Sequence, residues 1–314
     1  MPYSPLKNWI PYKFDNQLCH WLNTFNEPFT APFFDDTISR CKRMAKQHAP
    51  FTPVSEAEML TEWASDLDSI EPTVFIFHIS RCGSTLVSQL LATTDAHIVL
   101  SEVPFFDNLL RLPHQGTNFD QNAVSGLLKA AIRFYGQKRT GREQHLFIKT
   151  DSWHIFFYKQ LRALYPDVPF ILMYRSPDEV LSSHLKIPGM QAVPGLIEPQ
   201  IFGFSPEEIT YNRPDIYTSR VLEKYLEQYH HIMNNDNNCL LLNYNEGPMT
   251  MINKIAAFTN TPISNEALAM MSQRSQYHSK RPNEAFLEET RPQRPPYINR
   301  AMELYDALAA PALK

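Results

Sequence analysis

The stretch Ser80-Arg81-Cys82-Gly83-Ser84-Thr85 places one guanidinium, three hydroxyls, a thiol and a glycine between an apolar run that ends at Ile79 and an apolar pattern that resumes at Leu86. A loop of this kind, joining a strand to a helix, can hold an anion. The helix start offers N–H groups without intrahelical partners and the positive end of the helix dipole. Gly83 permits a tight turn and close backbone approach. Ser84 and Thr85 add hydroxyl donors, and Arg81 adds a charged fork. Familiar enzymatic loops do not fit. GxxxxGK[ST] needs a lysine before the hydroxyl residue, and Gly83 stands there. A cysteine-phosphatase loop needs an arginine where Ser88 stands, and no GxSxG elbow is present. Cys82 has two readings, a small apolar filler or a thiol made acidic by the helix start.

A second constellation is "YRSPDEVLSSHLK", residues 174–186. Ser176, Pro177 and Glu179 have the spacing of an N-cap, a first helical residue and a capping box, so they predict a sharp helix start. Arg175 precedes that start. Ser183 lies about 12 Å further along the helix, and a curved entry brings both toward one phosphate. Taken alone, Ser183 reads as an ordinary helix serine.

These corners need elements to position them. Short apolar runs, "TVFIFHI", "HIVL", "HLFI", "PFILMY" and "CLLLNY", alternate with helical stretches from residue 73 onward. That pattern predicts βα units and a mainly parallel sheet. Each run ends in polar or charged groups: Ser80-Arg81, Ser101-Glu102, Lys149-Thr150-Asp151, Arg175-Ser176 and Asn245-Glu246. Parallel strands put those ends on one rim, where open α/β sheets bind ligands. Arg81, Glu102, Lys149 and Arg175 would converge there. Each also has a plain structural reading, as a polar residue ending a strand or as half of an ion pair.

Upstream, "TISRCKRMAK" and "SEAEMLTEWASDL" read as helices, the second with a capping box from Ser55 to Glu58. The expected organisation is a mostly helical extension over 1–70, an α/β core over 71–290, and a Pro-rich segment with a C-terminal helix over 291–314. Residues 187–218, rich in proline, glycine and apolar groups, read as a lid, an acceptor pocket or a plain connection. "YTSRVLEKYLEQYHHIM" reads as a helix whose adjacent His230 and His231 face different ways, a poor metal pair.

The chain has 314 residues, 43% of them hydrophobic, enough for a large core. Its formal charge of −4 argues against nucleic-acid binding through bulk charge. No apolar run approaches the roughly 20 residues of a membrane span, and the N-terminus lacks a signal-peptide core. Cys19, Cys41, Cys82 and Cys239 are widely spaced, so they read as reduced thiols of a cytoplasmic protein rather than disulfides or a zinc site.

"SRCGSTL" followed by "YRSPDEVLSS" resembles the sulfotransferases that use 3′-phosphoadenosine 5′-phosphosulfate (PAPS). The first loop is most similar to the "PRSGTT" form of the tyrosylprotein and related branch, with Ser80 and Cys82 replacing proline and serine. The resemblance spans residues 73–185, with weaker echoes to about 285. It implies a P-loop-like three-layer α/β/α fold. It implies that Arg81, Cys82, Gly83, Ser84 and Thr85 grip the 5′-phosphosulfate, and that Arg175 and Ser183 grip the 3′-phosphate. "LLNYNEGP" looks like the family's later strand with its Tyr-Glu element. "YHSKRPNEAF" loosely resembles the basic segment over the nucleotide, which makes Lys280 and Arg281 contacts; a solvated basic turn is the other reading. Glu102 resembles the branch's glutamate base, with His78, His154 and His184 as competitors. Arg81 and Lys149 would neutralise charge on the leaving oxygen and the transferring group. No metal is implied. The acceptor would be a small molecule, a carbohydrate or a peptide carrying a hydroxyl or amine. Two rival readings remain: a P-loop nucleotide kinase or hydrolase using ATP and magnesium, and a non-catalytic nucleotide-binding protein of the same fold.

Overall fold

The computed structural model describes residues 5–48, 51–277 and 294–310. Lys280 and Arg281 lie outside the described residues.

The five apolar runs form one parallel sheet. Its strands are β4 (Pro72–His78), β5 (His97–Ser101), β6 (His145–Lys149), β7 (Phe170–Tyr174) and β8 (Cys239–Asn243), in the order β5-β6-β4-β7-β8. Every neighbouring pair is parallel. β5 and β7 are buried along their whole length, as expected of strands covered on both faces. β4 is the central strand, so the loop after it lies at the middle of the carboxyl rim.

Helices α3 (Ser84–Leu91), α4 (Pro104–Arg111), α5 (Gln121–Tyr135), α6 (Tyr158–Leu164), α7 (Pro177–Lys186), α8 (Pro214–Asn235), α9 (Pro248–Phe258), α10 (Asn265–Arg274) and α11 (Asn299–Ala309) flank this sheet. α8 covers the predicted 217–233 helix and begins inside the stretch read as a long loop. The rest of that stretch is ordered into short 3-10 turns at Met190–Ala192, Pro199–Phe202 and Pro206–Glu208. α11 packs on α8, and His230 Nε2 bonds the carbonyl of Leu304 at 2.9 Å.

The N-terminal part differs from the mostly helical extension expected. Both helices are present, α1 (Phe34–His48) and α2 (Ala57–Ala64). They accompany an antiparallel sheet of β1 (Trp9–Asp15), β2 (Leu18–Asn23) and β3 (Val54–Glu56). Ile10, Trp21 and Leu22 of this sheet belong to the same buried cluster as the main sheet. The Tyr135 hydroxyl donates to the Pro11 carbonyl, and Gln137 Nε2 donates to Trp9 at 2.9 Å.

Two predicted capping boxes do not form. Ser55 sits in β3 and accepts the buried Trp21 indole N–H at 2.9 Å, so the hydroxyl serves a tertiary donor instead of a helix start. Ser176 is the N-cap of α7, with Pro177 as its first residue, but its hydroxyl donates to Asp178 and Glu179 turns back to Arg175. Among the described residues no helix is long and apolar enough to cross a membrane.

Candidate functional site

Between β4 and α3 the backbone turns through Ser80 (φ 69°), Arg81 (φ 51°) and Gly83 (φ 81°). Two non-glycine residues in the left-handed region are strained, a condition that persists where surrounding structure enforces it. His78 supplies part of that enforcement. Its Nδ1 accepts the Ser80 N–H at 3.0 Å, so the ring proton resides on Nε2, which lies 2.9 Å from the Thr150 carbonyl and 3.2 Å from Glu102 Oε1. Burial pushes the His78 pKa down, so the ring is neutral. The interior histidine therefore ties the loop to the ends of β5 and β6.

α3 begins without a side-chain cap. Gly83, Ser84, Thr85 and Leu86 line a cleft of about 490 Å³ at the carboxyl rim, together with Arg81, Glu102, Arg175 and Ser183. An uncapped helix start beside a guanidinium turns N–H donors and positive charge toward that cleft, the chemistry that suits an anion. Cys82 points the other way. It is fully buried, its thiol donates to the Met173 carbonyl at 3.5 Å, and burial pushes its pKa up to about 11. It is a filler, and any contact it makes with a ligand is through its backbone. All four cysteines are free and buried.

The second corner reaches the first directly. Arg175 Nη1 donates to the Arg81 carbonyl at 3.4 Å, and its guanidinium lies 4.1 Å from the centre of the Tyr244 ring. A Cβ on Gly83 would stand 2.9 Å from that same ring. Gly83 is thus required twice, for its backbone conformation and for the space Tyr244 occupies. Glu179 Oε2 accepts from Arg175 Nε at 3.1 Å and fixes the guanidinium from the helix side. Arg81 Nη2 donates to the Ile187 carbonyl at 2.8 Å, which ties the loop to the end of α7.

Glu102 and Lys149 form a close pair, Nζ to Oε1 at 2.6 Å. The lysine side chain is 1% exposed and the glutamate 34%, so the ammonium is sealed and the carboxylate faces the cleft. Lys149 and His78 hold the Glu102 pKa below the ordinary range against the effect of burial, so it is ionised. Glu102 has φ 56° and donates its N–H to the Lys149 carbonyl at 2.8 Å, which turns the chain just past β5.

The other histidines are committed elsewhere. His154 Nδ1 accepts from Asp151 N at 3.3 Å, and Nε2 meets Asp107 Oδ1 at 3.0 Å. His184 Nδ1 accepts from Gly189 N at 3.1 Å, with Nε2 beside Gln191. Asp107, Asp151 and His154 bring ligand-type atoms within 4.8 Å of one another. Yet Asp107 already accepts from Trp153, His154 and Arg111, so a cation there would displace a satisfied hydrogen-bond network.

The structure brings Arg81, Gly83, Ser84, Thr85, Glu102, Arg175 and Ser183 to one cleft, with Lys149 behind Glu102. Tyr244 and Asp151 also line it, and the sequence singled out neither as a site residue. The strand-end position of Asp151 was the available signal for it; for Tyr244 the signal was its place in "LLNYNEGP", the segment that resembles the family's Tyr-Glu element.

A family model described as the sulfotransferase family matches residues 72–264. The sulfotransferase domain from the curacin biosynthetic pathway superposes with a TM-score of 0.50 at 15% identity, over 77% of this chain and 98% of the other. Sulfotransferase STF9 from Mycobacterium avium gives a TM-score of 0.47 at 14% identity, over 91% and 87%. Mouse sulfotransferase SULT7A1 complexed with PAP gives 0.37 at 12% identity, over 73% and 72%. A search of curated proteins found no match. With the family model covering more than half of its length, the chain belongs to the sulfotransferase family.

Proposed function

We propose that this protein transfers the sulfuryl group of PAPS to a hydroxyl or amine of an acceptor. The observation that carries this reading is the meeting of the two corners: Arg175 touches the Arg81 carbonyl and stacks on the ring that abuts Gly83. A nucleotide with phosphate at both ends of its ribose needs two anion grips facing one space, and the uncapped start of α3 and the Arg175 guanidinium lining one cleft support that reading. The Arg81–Thr85 loop takes the 5′-phosphosulfate, and Arg175 with Ser183 takes the 3′-phosphate. The family resemblance adds Lys280 and Arg281, which lie outside the described residues, as nucleotide contacts.

Arg81, Lys149 and Glu102 form the catalytic set. Negative charge grows on the leaving phosphate oxygen as the bond to sulfur breaks, and fixed cations lower that barrier. Lys149 is held at 2.6 Å by Glu102, so its ammonium is fixed in place behind the cleft wall before the donor arrives. The tyrosylprotein-branch resemblance implies Glu102 as the base; in the structure its carboxylate is held ionised beside Lys149. The acceptor is a small molecule, a carbohydrate or a peptide.

Labelled-sulfate transfer from PAPS across phenols, aliphatic alcohols, saccharides and peptides tests this. Transfer that is lost in Lys149→Ala, with PAP still bound, supports the reading. Magnesium-dependent ATP turnover with no PAP binding would favour the kinase reading. Unchanged biological activity in Glu102→Ala and Lys149→Ala would favour the non-catalytic one.

A further inference from the structure

Among the described residues two carboxyls line the cleft, and their surroundings differ. Glu102 is bonded to Lys149 and faces His78. Asp151 comes two residues after Lys149, at the N-cap of the 3-10 helix Ser152–Phe157, with its side chain 14% exposed. The cations near it are engaged elsewhere. Lys149 is held by Glu102, and Arg111 by Asp107 (3.0 Å) and Glu198 (2.7 Å). Among the described residues no lysine or arginine pairs with Asp151. His154 lies 3.6 Å away, but its Nδ1 accepts the Asp151 N–H and its Nε2 serves Asp107.

We propose that Asp151, rather than Glu102, receives the acceptor's proton. This rests on the sulfuryl-transfer reading above. The acceptor oxygen forms a bond to sulfur, and the bond from sulfur to the 5′-phosphate bridge oxygen breaks with its electron pair left on the phosphate. The acceptor's proton passes to the Asp151 carboxylate and then to solvent through the cleft. Glu102 stays ionised throughout as the partner that orients Lys149.

The electrostatics agree with this division. Asp151 faces Glu102 after β5, Asp107 and Arg111 on α4, Lys149 on β6 and Tyr225 on α8, besides His154 on its own helix. Burial, with the negative charges of Glu102 and Asp107, lifts its pKa well above the usual aspartate value, against a smaller opposing effect of Lys149 and Arg111. Two carboxyls whose environments push their proton affinities apart divide into a fixed anion and a titrating group. A base is most effective when its pKa lies near the working pH.

Two measurements test this, neither needing the natural acceptor. The first is the pH dependence of single-turnover PAPS hydrolysis, with water as acceptor, in the wild type, Asp151→Asn, Asp151→Glu and Glu102→Gln. The rate should rise with pH through one ionisation in the wild type. Asp151→Asn, which keeps an oxygen for the backbone N–H of His154 that the Asp151 side chain caps, should lose that rise and fall about 100-fold or more. Asp151→Glu should restore a rise, and Glu102→Gln should be slower but keep it. The second is a ¹³C titration of labelled aspartate carboxyls in the wild type, where one resonance should titrate far above the others and be missing from folded Asp151→Asn. Calorimetry with PAP accompanies both. Wild type that does not bind PAP would sink the sulfuryl-transfer reading itself. PAP binding with a pH rise that survives in Asp151→Asn, or that vanishes in Glu102→Gln, would overturn this inference alone. An Asp151 resonance titrating in the ordinary aspartate range would also overturn it.

Discussion

The corner after β4 turns through left-handed backbone at Ser80, Arg81 and Gly83, and presents an uncapped helix start. The corner after β7 turns through an N-cap with ordinary negative φ and projects a side chain, Arg175, back toward its neighbour. In the proposed function the first corner grips through main chain and is set by conformation, and the second grips through a guanidinium held between Glu179, Tyr244 and a carbonyl. Substitutions should therefore act in opposite ways. At the first corner backbone freedom matters and side-chain identity can be dispensable; at the second, one side chain carries the effect.

The sharpest break in that contrast is Gly83→Val. A branched side chain in the left-handed region costs about 1–2 kcal/mol, and its Cβ would press on the Tyr244 ring that Arg175 stacks against. Both corners are disturbed, so PAP affinity measured by calorimetry should fall by more than about 100-fold. Arg175→Ala removes a charge-assisted contact of about 1.5–3 kcal/mol, so affinity should drop about 10- to 150-fold. Unchanged affinity would remove Arg175 from the 3′-phosphate grip. Ser183→Ala loses one neutral hydrogen bond of about 1 kcal/mol, and the same titration should show a loss of about five-fold. Cys82→Ala sits within the first loop yet should leave affinity within about two-fold, because its thiol faces the Met173 carbonyl and not the cleft. A large loss there would mean that side chains matter at this corner too.

The five strands and their common rim were legible because continuous apolar runs closed by polar residues have few other interpretations in an α/β chain. The N-terminal sheet was not. β1 carries Pro11, its pairing with β2 slips between Pro11 and Lys13, and β3 is three residues long, so no clean alternation marks them. The two capping boxes failed for a related reason. Spacing identifies a hydroxyl able to cap, but a nearby Trp21 indole or Asp178 carboxylate decides where that hydroxyl goes. Arg81, Gly83 and Arg175 were recognisable from local pattern, since each belongs to a strand-to-helix junction; Ser183, inside α7, was singled out only by its spacing from Arg175 in the family resemblance. Tyr244 and Asp151 take their character from residues brought in by other elements: Arg175 and Gly83 for the ring, Glu102 and Asp107 for the carboxyl.

The central claim is that one nucleotide spans both corners. The direct measurement is calorimetric affinity for PAP and for 5′-AMP, without magnesium, in the wild type and in Arg175→Ala. The two ligands differ only in the 3′-phosphate. PAP should bind more tightly than 5′-AMP in the wild type, and Arg175→Ala should erase most of that difference while leaving 5′-AMP affinity nearly unchanged. Equal wild-type affinities, or a difference that persists in Arg175→Ala, would contradict the account.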